Sequence, residues 1–138
     1  MLMSSFSLKI IASDKVFYDG RAEALTIPAM DGQKQILPHH ENMVIAVNIG
    51  ELKFRTEDGT VHQVVVGKGF AETMNNRVIV LTDTAERPED IDKKRAQEAL
   101  DRAMERMRQK QSIQEYHHSQ AAMARAMTRL KLSSKYLN

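Results

Sequence analysis

The sequence predicts an α+β chain in two segments: an N-terminal antiparallel β-sandwich or flattened barrel of about ten short strands, then a C-terminal antiparallel two-helix hairpin. Three observations predict it. From Phe6 to Thr82, short β-like runs recur between turn signals. After Pro88 glycine and proline cease, and apolar residues recur at spacings of three and four. The charge also changes sign, from −3 over residues 1–86 to +5 over residues 87–138, within a net +2. The expected domains are therefore 1–86, a β-sandwich, and 87–138, a helical hairpin.

The strand candidates, in order, are FSLKII, KVFY, AEALTIP, QKQIL, MVIAVNI, ELKFRT, VHQVVV, GFAETM and RVIVLT. Asp19-Gly20, Asp31-Gly32, Asp58-Gly59 and Asn75-Asn76 supply the positive-φ residues that tight turns need, with Gly67 and Gly69 as further breaks. In ELKFRT, Leu52 and Phe54 alternate with Lys53 and Arg55, marking one dry and one wet face. VHQVVV and RVIVLT are more continuously apolar, as for strands covered on both sides.

Pro88 suits the first position of a helix, and Glu89, Asp90 and Asp92 place negative charge at the positive end of its dipole. Ile91, Ala96, Ala99, Leu100, Ala103, Met104 and Met107 form an apolar stripe to about Gln109. Ser112-Ile113-Gln114-Glu115 is a capping box that opens a second helix. Its predicted seam is Ile113, Tyr116, Met123, Met127 and Leu130, with Ala122 and Ala126 beside it. Alanine and methionine make a thin seam that contributes less than leucine or isoleucine would, so the hairpin is expected to open readily.

Composition excludes several functions. With 42% hydrophobic residues the chain can build a core, and without cysteine it has neither disulfides nor a thiolate site. MLMSSFSLKI lacks a charged n-region and a small-residue cleavage site, so no secretory leader is expected. No apolar run approaches the ~20 residues of a membrane span. His39-His40 and His117-His118 are neighbours that point apart on a strand or helix, so no metal site is expected. No nucleophile–base set, Walker loop or GxGxxG is present, so no enzyme is expected.

Two readings of Asp92 and Arg95 stand side by side. One is a surface i,i+3 ion pair. The other is a nucleotide site, in which a carboxylate accepts the exocyclic amine of adenine and guanidinium forks clamp phosphates. Arg125 and Arg129, at i,i+4 on the second helix, form such a clamp, and an antiparallel hairpin would bring them near Asp92 and Arg95. A rival function for the basic charge is a helical hairpin on a β-scaffold that binds nucleic acid, but Glu98, Asp101 and Glu105 interrupt that face.

Over essentially the whole chain the order of motifs resembles the epsilon subunit of bacterial F-type ATP synthase. The matching residues are Phe17–Gly20, Pro28-Ala29 with Asp31-Gly32, Ile36–Pro38 followed by His40, Gly67–Phe70, Leu81–Glu86, and Ile91–Ala96. Ile91-Asp92-Lys93-Lys94-Arg95-Ala96 is similar to that family's ATP-binding motif. The resemblance implies a non-catalytic central-stalk subunit at the cytoplasmic face of the cell membrane, in a proton- or sodium-translocating synthase. Its β-domain would dock on the gamma subunit and the c-ring. Its hairpin would fold down in one state and extend toward the alpha/beta hexamer in another, hindering ATP hydrolysis. ATP, with or without magnesium, would be a regulatory ligand and no tightly bound cofactor is implied. Carried over by position, ATP contacts fall on Glu86, Ile91, Asp92, Arg95 and Ala96, with Arg125, Arg129 and Arg102 on the phosphate side. His118 stands where some members have arginine, and the loop QKQILPHHENM lacks the glycine common before Ile-Leu-Pro. The alternative is a freestanding ATP-sensing module outside any rotor.

Overall fold

A computed structural model describes residues 4–13, 15–108 and 113–137, with side chains of the last helix described over 117–133. The chain forms two compact units, Met1–Ala85 and Glu86–Asn138.

The first unit is a sandwich of two five-stranded sheets. Its strands are β1 (Phe6–Ala12), β2 (Lys15–Ala22), β3 (Ala24–Ala29), β4 (Gly32–Ile36), β5 (Met43–Val47), β6 (Gly50–Arg55), β7 (Val61–Val66), β8 (Gly69–Met74), β9 (Arg77–Thr82) and the short β10 (Ala85–Glu86). One sheet runs β2-β1-β9-β8-β5 and the other β10-β7-β6-β3-β4. One of the described pairings departs from the antiparallel pattern. β1 and β9 run parallel, Leu8 beside Val78 and Ile10 beside Val80. Strands far apart in sequence are not bound by hairpin geometry, so either direction is open to them.

Alternation fills the core. β1 reads buried at Phe6, Leu8, Ile10 and Ala12, facing Leu25, Ile27 and Ile36 among others. A fully buried Leu, Ile or Phe side chain stabilises by about 1.5–3 kcal/mol relative to exposure. Leu52 and Phe54 are buried and Arg55 is exposed, as the pattern of ELKFRT predicts. RVIVLT differs from its expected two-sided cover. It alternates strictly, burying Val78, Val80 and Thr82 while Ile79 and Leu81 stay exposed.

Asn75 and Asn76 adopt φ 52° and 60° in the two-residue β8–β9 turn, and Gly59 adopts φ 85° between β6 and β7. Asp19-Gly20 makes no turn. It lies inside β2, with Asp19 opposite Lys9 and Gly20 opposite Leu8. A Cβ on Gly20 would sit 2.7 Å from the Tyr18 hydroxyl oxygen, so a larger residue there would move the end of that side chain.

The second unit holds a 3-10 turn (Pro88–Asp90), α1 (Lys93–Arg108) and α2 (Ile113–Leu137). α2 packs along α1 and the 3-10 turn. The capping box that begins at Ser112, and the side chains of Ile113 and Tyr116, lie outside the described residues. The buried residues of α1 are Ala96 and Ala103, seven apart. Those of α2 include Ser119, Ala126 and Ser133, again seven apart, and Leu132. Ala96, Ala103 and Ala126 lie where the sequence placed them, but the methionines do not: Met127 is 54% exposed and Met104 41% exposed. A heptad of small residues lets two backbones approach closely, which displaces the long methionines to the flanks.

Candidate functional site

The site in the second unit begins with the way α1 starts. Pro88 occupies the first position of the 3-10 turn, and Ile91 donates its N–H to the Pro88 carbonyl at 3.2 Å. The extended backbone of Ile91 ends that turn. Asp92 then starts the helix: its Oδ1 accepts the N–H of Arg95 at 3.1 Å, and its carbonyl accepts the N–H of Ala96 at 2.9 Å. Asp92 is thus an N-cap. Among the described residues its carboxylate meets the backbone of Arg95 and makes no ion pair with the Arg95 side chain, so the surface-pair reading does not hold. Glu89 and Asp90, expected in the helix's first turn, belong to the 3-10 turn that precedes it.

Across the hairpin, Arg129 Nη2 donates to Glu86 Oε2 at 2.8 Å, with about a third of each side chain exposed (30% and 31%). The Nε of Arg129 is buried and, among the described residues, has no hydrogen-bond partner. Glu86, Asp90, Asp92, Arg95, Glu98, Ala99, Arg102 and Arg129 line one cavity of about 530 Å³. That volume falls in the range of ligand pockets, roughly 300–1,000 Å³, but its lining is far more charged than is usual for one.

Five of the predicted site residues therefore share one cavity: Glu86, Asp92, Arg95, Arg102 and Arg129. Ile91 and Ala96 are buried instead of lining it, and Arg125 is half-buried and absent from the lining. Asp90 and Glu98 were missed. Glu98 lies three residues after Arg95 and four before Arg102, so its place on that face was legible from helical spacing. Asp90 could not be placed without the 3-10 turn.

The sandwich carries a different kind of surface. On the outward face of the first sheet, Val16, Ile11, Leu81, Phe70 and Ala46 are cross-strand neighbours in register. They form one apolar row across all five strands, about 19 Å at ~4.8 Å per strand. Phe70 is 60% exposed and Leu81 50%. The adjacent row, Asp19, Lys9, Ile79, Glu72 and Val44, is mixed in charge. An apolar row rimmed by charges is the form of a protein-docking face.

The loop 37–42 is pinned to the β8–β9 hairpin. His39 donates its N–H to Asn76 Oδ1 at 2.8 Å, Asn75 donates to Asn42 Oδ1 at 3.1 Å, and Met43 donates to Thr73 Oγ1 at 3.0 Å. Leu37 and Met30 stand exposed nearby in sequence. His40 Nδ1 lies 3.0 Å from the Glu41 carbonyl oxygen, and among the described residues no group of His, Asp and Glu is arranged to hold a metal ion.

Two family models match the chain in tandem. Residues 5–88 match the ATP synthase delta/epsilon chain beta-sandwich domain, and residues 89–134 match the long alpha-helix domain of the same chain. The chain belongs to the ATP synthase delta/epsilon family. It is 41% identical to the ATP synthase epsilon chain of Ruminiclostridium cellulolyticum, over 96% of this chain and 98% of that one. With the epsilon chain of Caldicellulosiruptor bescii it shares 34% identity over 96% of each. The fold is similar to a chain in the Euglena gracilis mitochondrial ATP synthase (OSCP/F1/c-ring), with a TM-score of 0.78 and 23% identity over 98% of this chain and 82% of that one. Among the described residues, no helix of this family member is long and apolar enough to cross a membrane.

Proposed function

We propose that the chain is a non-catalytic central-stalk subunit of an F-type ATP synthase whose helical hairpin binds ATP and switches between two arrangements. The observation that carries the nucleotide reading is the single cavity in which Asp92, Arg95, Arg102 and Arg129 meet. Guanidinium groups bind phosphoryl oxygens in bidentate forks, and the carboxylate of Asp92 at the mouth of α1 is an acceptor for a base amine. The stalk reading is supported by the apolar row on the first sheet, which suits docking on the gamma subunit, and by the family's place in the ATP synthases. Loop 37–42, with Leu37 exposed, is the matching candidate for the c-ring.

The switch acts by differential affinity. ATP that binds only the closed hairpin stabilises it by RT ln(1 + [ATP]/Kd), about 2.7 kcal/mol at ~100 Kd. That tips a hairpin held by small residues, whereas a leucine-packed one would hardly respond. Opened, α1 would present Arg102, Arg106 and Arg108 to an acidic face of the alpha/beta hexamer and so hinder hydrolysis, while the subunit stays peripheral on the cytoplasmic side of the membrane. Calorimetric titration of ATP into the wild type and into the Asp92→Ala, Arg95→Ala double variant tests the site. The expected result is saturable heat from the wild type and at least about a tenfold loss in the variant, with unchanged β-sheet circular dichroism. Equal titrations would overturn it.

A further inference from the structure

The pair between Glu86 and Arg129 bears on how any phosphorylated ligand enters the cavity. Arg129 is the one arginine of the lining with a carboxylate already on it, at 2.8 Å, and both side chains are about two-thirds shielded from water. The remaining inner donor of that guanidinium, Nε, is buried with no partner among the described residues. Four carboxylates (Glu86, Asp90, Asp92, Glu98) face three guanidiniums (Arg95, Arg102, Arg129) across the cavity, so its formal charge is −1. Such a lining does not attract a polyanion as it stands. A phosphoryl group gains Arg129 by taking the place of a carboxylate, and a guanidinium offers the same planar fork to either.

We propose that Glu86 is an internal competitor: its carboxylate occupies Arg129 in the closed hairpin, and ligand phosphate binds by displacing it. This rests on the nucleotide reading above and assigns Glu86 a role opposite to that of a direct ligand contact. The pair also joins residues 43 apart, from the start of the unit to its second helix. Phosphate that replaces Glu86 therefore takes over the same tether, so the closed hairpin keeps a fastening at its open end when ligand is bound. The exchange holds affinity down, because each binding event returns a carboxylate to water beside a bound anion.

The test is a calorimetric titration of ATP, and separately of inorganic pyrophosphate, into the full chain carrying Glu86→Gln, Glu86→Asp, Arg129→Ala, or Glu86→Gln with Arg129→Ala. The expected result is an affinity gain of about three- to tenfold for Glu86→Gln and a smaller gain for Glu86→Asp, which keeps the charge but shortens the reach. Arg129→Ala should weaken binding, and in that background Glu86→Gln should change nothing. Wild-type binding that falls in Glu86→Gln, with hairpin helicity unchanged by circular dichroism, would overturn the competitor role and leave the nucleotide site standing. So would a Glu86→Gln gain that persists without Arg129. If helicity falls in Glu86→Gln, Glu86→Asp decides: weaker binding there overturns the role. No binding by wild type or Glu86→Gln would overturn both.

Discussion

A methyl group added at position 69 would run into the carbonyl oxygen of Leu81 on the neighbouring strand, and one at position 67 into the Asp83 carboxylate. These glycines hold the β7–β8 corner, where Gly67 N–H bonds the Thr84 carbonyl at 3.0 Å and Asp83 N–H the Lys68 carbonyl at 3.0 Å. Backbone cannot yield as a side chain can, so Gly69→Ala should destabilise the sandwich by about 1–3 kcal/mol in denaturant unfolding. Asp58 shows the electrostatic counterpart. The Thr56 hydroxyl, then the Thr60 N–H at 3.1 Å, hold its carboxyl below the usual range. A depressed carboxyl contributes stability above its unfolded value, about 3.9, and that contribution is lost as pH falls through the lower folded value. Thr56→Val should raise the Asp58 pKa toward the ordinary value in a carboxyl NMR titration. Tyr18 shifts the other way, upward, first because of burial and then through Asp58, Glu57 and Asp19. Its contribution is present below pH 10.0 and lost as pH rises through its folded value. Because burial leads, Asp58→Asn should lower the Tyr18 pKa only part of the way in an ultraviolet phenolate titration.

At the scale of elements, the legible features were those set by local chemistry. The Asn75-Asn76 and Asp58-Gly59 turns stand where positive φ demanded them, and Leu52 and Phe54 point inward as alternation required. What was not legible depended on neighbours distant in sequence. Asp19-Gly20 has the composition of a turn, yet pairing with β1 keeps it extended. Ile79 and Leu81 look like core residues because they are apolar, but only one face of β9 is covered. The hairpin seam was legible in part: Ile91, Ala96, Ala103 and Ala126 are buried as expected, while Met104 and Met127 are not. Met123, Met127 and Leu130 carry the hydrophobicity, whereas the small Ser119, Ala126 and Ser133 are the residues buried, two of them polar. Ser133 is fully buried and its hydroxyl has no partner among the described residues. Ser133→Ala removes that unsatisfied group without leaving a cavity, so it should raise hairpin stability by up to about 1 kcal/mol, read as slower amide exchange in α2. A bulky residue at the same seam, Ala103→Leu, should do the reverse by about 1–3 kcal/mol.

For the whole molecule, the proposed docking and nucleotide binding fall on two units with different surfaces and should be separable. The sandwich offers an apolar row on a fixed sheet, and the hairpin offers charge around a cavity. Phe70→Asp places a charge in the middle of that row without touching the core. It should abolish co-purification with a gamma subunit while leaving ATP titration of the hairpin unchanged. The cavity itself was half legible in the sequence: the helical motif marked Asp92 and Arg95, and antiparallel pairing drew in Arg129. The cap geometry, Asp90 and the Glu86–Arg129 pair needed the fold. Amide exchange of the hairpin with and without ATP tests the switch most directly. Without ATP, α1 and α2 should exchange faster than the sandwich strands; at ~100 Kd of ATP they should slow by about a hundredfold while the sandwich is unaffected. Hairpin amides that are already as slow as those of the sandwich, and unmoved by ATP, would contradict it.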